Sequence, residues 1–151
     1  MTGILMTIPE TMRQMINGER PPMPLAALMG IRVATVEAGR SRVELDSDAR
    51  HSTPLGTMHG GALCMLADIA MGLAYGSTLD ESETFATLEL KINFLRPVRR
   101  ASLVAEAVVV RTGRNTGMAE CTVMDQRGRL VAKASSTCMT RRAARSPRNG
   151  V

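Results

Sequence analysis

Aromatic side chains are nearly absent from this chain. Its 151 residues include two Phe, one Tyr and no Trp. Proteins hold single-stranded nucleic acid by stacking bases on such rings, so the composition counts against that partner despite a formal net charge of +5. The charge is also placed wrongly for it. The stretch "RRAARSPRNGV" carries Arg141, Arg142, Arg145 and Arg148 with no acid, leaving 15 of the 19 basic residues against all 14 acidic ones elsewhere. Residues 141–151 are expected to be a solvated, disordered basic tail. No nucleic-acid partner is expected.

Cysteine is scarce too. Cys64, Cys121 and Cys138 include no C-x-x-C pair, so they offer neither metal-site spacing nor an even disulfide set. Reduced thiols in a cytoplasmic protein fit this pattern, and no metal is expected. Long apolar runs are missing as well. The longest, residues 62–75, contains Asp68 and is short for a bilayer span. The N-terminal "MTGILMTIPETMRQ" lacks a charged segment followed by a long apolar one, so no signal peptide and no membrane partner are expected. There is no G-x-S-x-G elbow, no G-x-G-x-x-G and no P-loop, which weighs against α/β-hydrolase and nucleotide-binding chemistry.

What is present fits one globular domain with a real core: 44% hydrophobic and 22% charged residues in a chain of this length. Methionine is frequent, at 12. Such residues fill irregular gaps, or make a pliant wall for a flexible chain. Residues 8–17 suit a short amphipathic helix, broken by "NGERPPMP". Residues 25–29 suit a short turn before Gly30. "IRVATVEAG" and "RSRVELD" predict two strands joined at Ala38-Gly39. A Ser-, Thr-, Pro- and Gly-rich loop follows. Residues 62–76, rich in Ala, Leu and Met, predict a helix apolar nearly all round and so buried on most sides. Four strands are predicted after it. In the first, Leu88, Leu90, Ile92 and Phe94 or Leu95 alternate with Glu89, Lys91 and Asn93. The last two form a hairpin turning at 125–128. An antiparallel sheet wrapped around one buried helix satisfies this pattern, and self-association would cover the sheet's outer face and edges.

The chemistry concentrates in "LGTMHGGALCMLADIAMGLA", residues 55–74. Gly60 and Gly61 stand where the helix begins. Their N–H groups lack intrahelical partners, the helix dipole adds positive charge, and nothing blocks a close approach. That suits a carbonyl oxygen gaining negative charge in acyl transfer; it equally suits a tight loop-to-helix turn. Asp68 is the one charged residue in 58–79, and a buried acid is costly unless paired or used. It lies eight residues, about 12 Å, beyond Gly60. One helix therefore cannot place Asp68 against a carbonyl held at its own Gly60. Either the two features are unrelated, or two copies with antiparallel helices share the site. A carboxylate there attacks the carbonyl or activates a water; the alternative is a solvent-facing position. His59 orients the loop or bonds substrate. Thr87, in "FATLEL", holds a water or the acid, or is simply a strand-favouring residue.

"PLGTMHGGALCMLADIAMGLA", then "ATLELKINFLRPV", then "DQRGRLVAKASST" together resemble the hotdog-fold thioesterases of the phenylacetate-degradation (PaaI-like) type. H-G-G, the acid nine positions after the His, and a strand ending in Arg-Pro occur in the family's order. The resemblance divides the chain into an N-terminal helical and irregular segment (1–30), a hotdog α+β domain (31–140) and the tail (141–151). It implies hydrolysis of an acyl-CoA or aryl-CoA thioester by a homodimer or a dimer of dimers, with no cofactor beyond the coenzyme A of the substrate. Carried over by position, it implies that Gly60 polarises the carbonyl through its N–H, with Gly61 beside it. Asp68 of the partner copy becomes nucleophile or base, and His59 and Thr87 support substrate and water. Where such enzymes often carry Asn or Gln, this chain has Thr53, whose hydroxyl offers one donor where an amide offers two. That difference leaves open a non-catalytic acyl-CoA-binding or regulatory protein on the same fold. Arg96, Arg99, Arg111 and Arg114, at predicted strand ends and turns, are candidates for the phosphates of coenzyme A.

Overall fold

A computed structural model of the chain describes residues 8–142. Helices α1 (Ile8–Ile16) and α2 (Pro24–Met29) precede strands β1 (Ile31–Glu37) and β2 (Arg40–Asp46). A loop with a single 3-10 turn at Ala49–His51 leads into α3 (Gly60–Gly76). Four strands complete the chain: β3 (Glu83–Phe94), β4 (Ser102–Thr112), β5 (Thr116–Asp125) and β6 (Leu130–Arg142). They make one antiparallel sheet in the order β1-β2-β4-β5-β6-β3. Helix α3 packs against all six strands, the expected architecture of a sheet wrapped around one helix. Among the described residues no helix is long and apolar enough to cross a membrane.

The element boundaries follow local chemistry. Gly30 closes α2 in the left-handed conformation, φ +70°, which costs glycine nothing. Gly39, at φ +73°, makes the β1–β2 turn possible. At the β5–β6 turn, buried Asp125 accepts hydrogen bonds from the backbone N–H groups of Arg127 and Arg129 and from the Arg129 guanidinium. These donors, the guanidinium foremost, pull its pKa down to about 2. Strand β6 extends past the expected tail boundary. Arg141 and Arg142 belong to it, because they pair with Thr84 and Glu83 of β3 and Arg142 Nε donates to Glu83 at 2.8 Å. Arg145 and Arg148, the rest of the expected tail, lie outside the described residues.

The core lies between α3 and the sheet. Leu66, Ala67, Ala70, Met71 and Ala74 of α3 meet Val43, Leu45, Leu103, Val123 and Val131 of the strands, all buried. Each such large apolar side chain contributes on the order of 2 kcal/mol. The helix is not buried all round. Cys64, Met65, Asp68, Ile69 and Gly72 are half-buried, and their spacing puts them on one stripe. This stripe faces the edge strand β3.

Strand β3 departs from the expected alternation. Its pairing with β6 slips between Thr87 and Glu89, so Leu88 is an extra residue, a β-bulge. Leu88 does not point inward; it is 57% exposed. Phe85 packs inward before the bulge, and Leu90 and Ile92 pack on the core after it. Thr87 and Leu90 are an odd number apart, and in a regular strand with Leu88 in the ladder both could not face the helix.

Candidate active site

Asp68 sits on the half-covered stripe of α3, and Thr87 of β3 reaches it. The Thr87 hydroxyl donates to Asp68 Oδ1 at 3.3 Å. One turn earlier, Cys64 lines the same open recess as Asp68. Burial first, and then the Asp68 charge, push the Cys64 thiol upward. At neutral pH it is protonated and a poor nucleophile; the carboxylates of the recess are those of Asp68 and Glu89. Beyond Asp68 and Thr87, towards α1, a cavity of about 340 Å³ opens between Met15, Ile69, Gly72 and Phe85.

The glycine end of the helix is built from loop contacts. The Met58 N–H donates to the Val98 carbonyl at 2.6 Å and the His59 N–H to the His51 carbonyl at 2.7 Å. His51 is itself locked. Its Nδ1 accepts from the Asp48 N–H, so Nε2 carries the proton and donates to the Met29 carbonyl at 2.8 Å. His59 is the N-cap of α3: its Nδ1 accepts the Gly61 N–H at 2.9 Å. The Gly61 amide is thereby occupied. The Gly60 N–H, at the first helical position, has no intrahelical acceptor and no other partner among the described residues. Glycine at 60 also has a packing reason. A Cβ there would stand 2.9 Å from the Phe94 ring.

The remaining candidates are spread out. Arg96 borders the recess that Gly60 shares with Phe94. Arg99 Nη1 donates to the Leu55 carbonyl at 3.5 Å and so braces the loop before α3. The Thr53 hydroxyl bonds that of Thr57 at 3.1 Å, inside the same loop. Arg111 and Arg114 line a separate recess at the β4–β5 turn. Within one chain, then, the structure joins Asp68 with Thr87, and Gly60 with Arg96. It does not join the two groups: Gly60 lines neither recess that Asp68 lines. The sequence reading missed Phe94 and Phe85 as site walls. The first is signalled only by where β3 ends, the second only by the parity that the bulge sets.

A family model described as the thioesterase superfamily matches residues 55–132, from the loop before α3 into β6. The proofreading thioesterase EntH of Klebsiella pneumoniae is 31% identical over 70% of this chain and 77% of its own length. A 1,4-dihydroxy-2-naphthoyl-CoA hydrolase of Listeria monocytogenes is 26% identical over 76% and 94%. Among solved structures, a mutant of the phenylacetic acid degradation protein PaaI from Thermus thermophilus superposes with a TM-score of 0.72 at 30% identity, covering 78% of this chain and 98% of that one. The sheet wrapped around α3 is the hotdog arrangement of these neighbours.

Proposed function

The chain belongs to the thioesterase superfamily, and from that premise we propose that it hydrolyses an acyl-CoA thioester at a site shared by two copies. One observation carries this reading. The only acid on α3 is held by Thr87 on a half-covered stripe, and the free Gly60 amide lies about 12 Å away along the same helix, at ~1.5 Å per residue. A second copy running antiparallel brings its Gly60 to Asp68, and the first copy's Gly60 to its own acid.

The edge strand supports a particular pairing. Among the described residues β3 is a long edge with no strand on its outer side and with Leu88 exposed, the kind of edge that pairs with another chain. If β3 pairs antiparallel with its copy about Leu90, Glu89 opposes the copy's Lys91 on the outer face, twice by symmetry. Among the described residues Lys91 has no carboxylate partner of its own. With Leu88 looped out, the same register sets Thr87 opposite the copy's Ile92, two residues before the Phe94 that packs on Gly60. A dimer of such dimers is the larger assembly we propose.

In the shared site the Gly60 N–H receives the thioester carbonyl oxygen, whose growing negative charge the helix terminus stabilises. Asp68 takes a proton from water while the water oxygen adds to the carbonyl carbon. The C–S bond then breaks, and the thiolate of coenzyme A leaves and takes up the proton. Direct attack by Asp68 would give a mixed anhydride that water then cleaves. Thr87 fixes the carboxylate, and His59 holds the glycine turn. Arg96 and Arg99, beside the Gly60 recess, are assigned to the phosphates of coenzyme A ahead of Arg111 and Arg114. No metal or separate cofactor takes part, and the cytoplasm, where the three free thiols stay reduced, is the proposed location.

The test is release of free coenzyme A from a panel of acyl-CoA thioesters, read with a thiol reagent, with the Asp68→Asn variant beside the parent. Tight binding of acyl-CoA with no release across the panel would favour the alternative, a binding protein. The engagement of the Thr53 hydroxyl within its own loop is the observation behind that alternative.

A further inference from the structure

We propose that the cavity between α1 and α3 receives the acyl chain and selects unbranched aliphatic groups of medium length; this rests on the reading of Asp68 as a thioesterase acid. The cavity begins at Asp68 and Thr87 and ends at Phe85. Its side is closed by Met12 and Met15 of α1 and by Met23 in the following loop. At roughly 30 Å³ for a methylene-sized group, about 340 Å³ holds on the order of ten such groups including the mouth, so about six to ten carbons.

The lining decides the chemical class. Apart from Asp68 and Thr87 at the entrance, Thr11 is its one polar residue. A hydroxyl or carboxylate on the acyl tail would be desolvated there without a charged partner, a net cost. Three methionines give a wall that adapts to a flexible chain. The far end is rigid by contrast. The Phe85 ring stands edge-on to Tyr75, with centroids 5.5 Å apart and planes at 71°, and Tyr75 is buried and bonded through its hydroxyl to Thr140 at 2.7 Å. Gly72 faces that ring. A Cβ at 72 would sit 3.5 Å from Phe85 Cζ, ordinary contact, so this position can be filled without strain.

The experiment measures kcat/KM for saturated acyl-CoA thioesters from acetyl to hexadecanoyl, with benzoyl- and 4-hydroxybenzoyl-CoA alongside, for the parent protein, Gly72→Ala and Met15→Ala. Each variant is first checked for a cooperative thermal transition. The parent profile should peak at medium length and fall for 4-hydroxybenzoyl-CoA. Gly72→Ala should move the peak one or two carbons shorter, with about a fourfold loss in kcat/KM per carbon excluded. Met15→Ala should move it longer. Profiles that stay superimposable in all three proteins, or a preference for the hydroxylated ring, would overturn the assignment while leaving the thioesterase reading intact. Absence of coenzyme A release from every thioester, in parent and Asp68→Asn alike, would overturn both.

Discussion

The Thr87 hydroxyl donates to Asp68 Oδ1 at 3.3 Å, joining the edge strand to the central helix. A carboxylate held at one oxygen keeps the other for water or substrate. Replacing Asp68 by Asn keeps the shape and removes the base, so turnover should fall about 10²- to 10⁴-fold. The thermal midpoint should stay near that of the parent. Coenzyme A release and a thermal scan check both, and full activity in this variant would exclude Asp68 from the chemistry.

In the proposed mechanism Thr87 acts through Asp68, as a positioning residue. Thr87→Val should lower kcat by roughly tenfold, the loss of one hydrogen bond to a charged group, with KM little changed. Thr87→Ser should restore most of kcat. A KM effect equal to the kcat effect would make Thr87 a contact for substrate instead.

The pairing proposed about Leu90 makes a charge-reversal test possible. Lys91→Glu should set like charges opposite Glu89 twice, weakening the dimer by about 1–2 kcal/mol, roughly tenfold. The double variant Glu89→Lys with Lys91→Glu should recover the parent dimer. Sedimentation at a series of concentrations reads the result, and a dimer constant indifferent to all three proteins would rule out this register.

Gly117 lies under Tyr75. A methyl there would overlap the Tyr75 ring and stand 2.7 Å from the Arg111 carbonyl oxygen. Gly117→Ala should cost about 2 kcal/mol or more in overpacking. Chemical denaturation should show the midpoint shift.

Asp125 predicts part of the acid limb of stability. Its pKa lies at about 2 in the fold against an ordinary 3.8. A group whose folded value is depressed stabilises above the unfolded value, and that contribution disappears as pH falls through the folded one. Stability should therefore decline between about pH 4 and 2. Asp125→Asn should flatten this segment of a stability-against-pH curve measured by denaturant titration.

Much of this architecture was legible in the chain. Residues 62–76 carry too many Ala, Leu and Met for a surface helix, and α3 occupies Gly60–Gly76. The Asp125–Gly128 turn carried its own signal, and Gly128 takes φ +70° there. Asp68 stood out because it was the one charge in an apolar run. What was not legible depends on long-range packing. Nothing near Leu88 announces a bulge, because its alternation with Glu89 and Lys91 continues unbroken in the sequence. The Phe94 ring over Gly60 joins residues 34 positions apart, and no local pattern encodes that. His51 looked like one more loop residue, yet one ring nitrogen bonds the Asp48 N–H within the loop and the other ties that loop to Met29 of α2.

The bulge at Leu88 gives β3 one residue more than its ladder with β6 needs. Removing that one residue leaves every hydrogen-bonding group on the strand able to find a mate. It would also leave Thr87 two positions from Leu90, on the helix face with Phe85, whereas keeping the residue and flattening the bulge would swing the Asp68-holding hydroxyl and the end wall of the cavity outside together. The proposed chemistry and selectivity thus depend on one surplus residue staying looped out of the ladder.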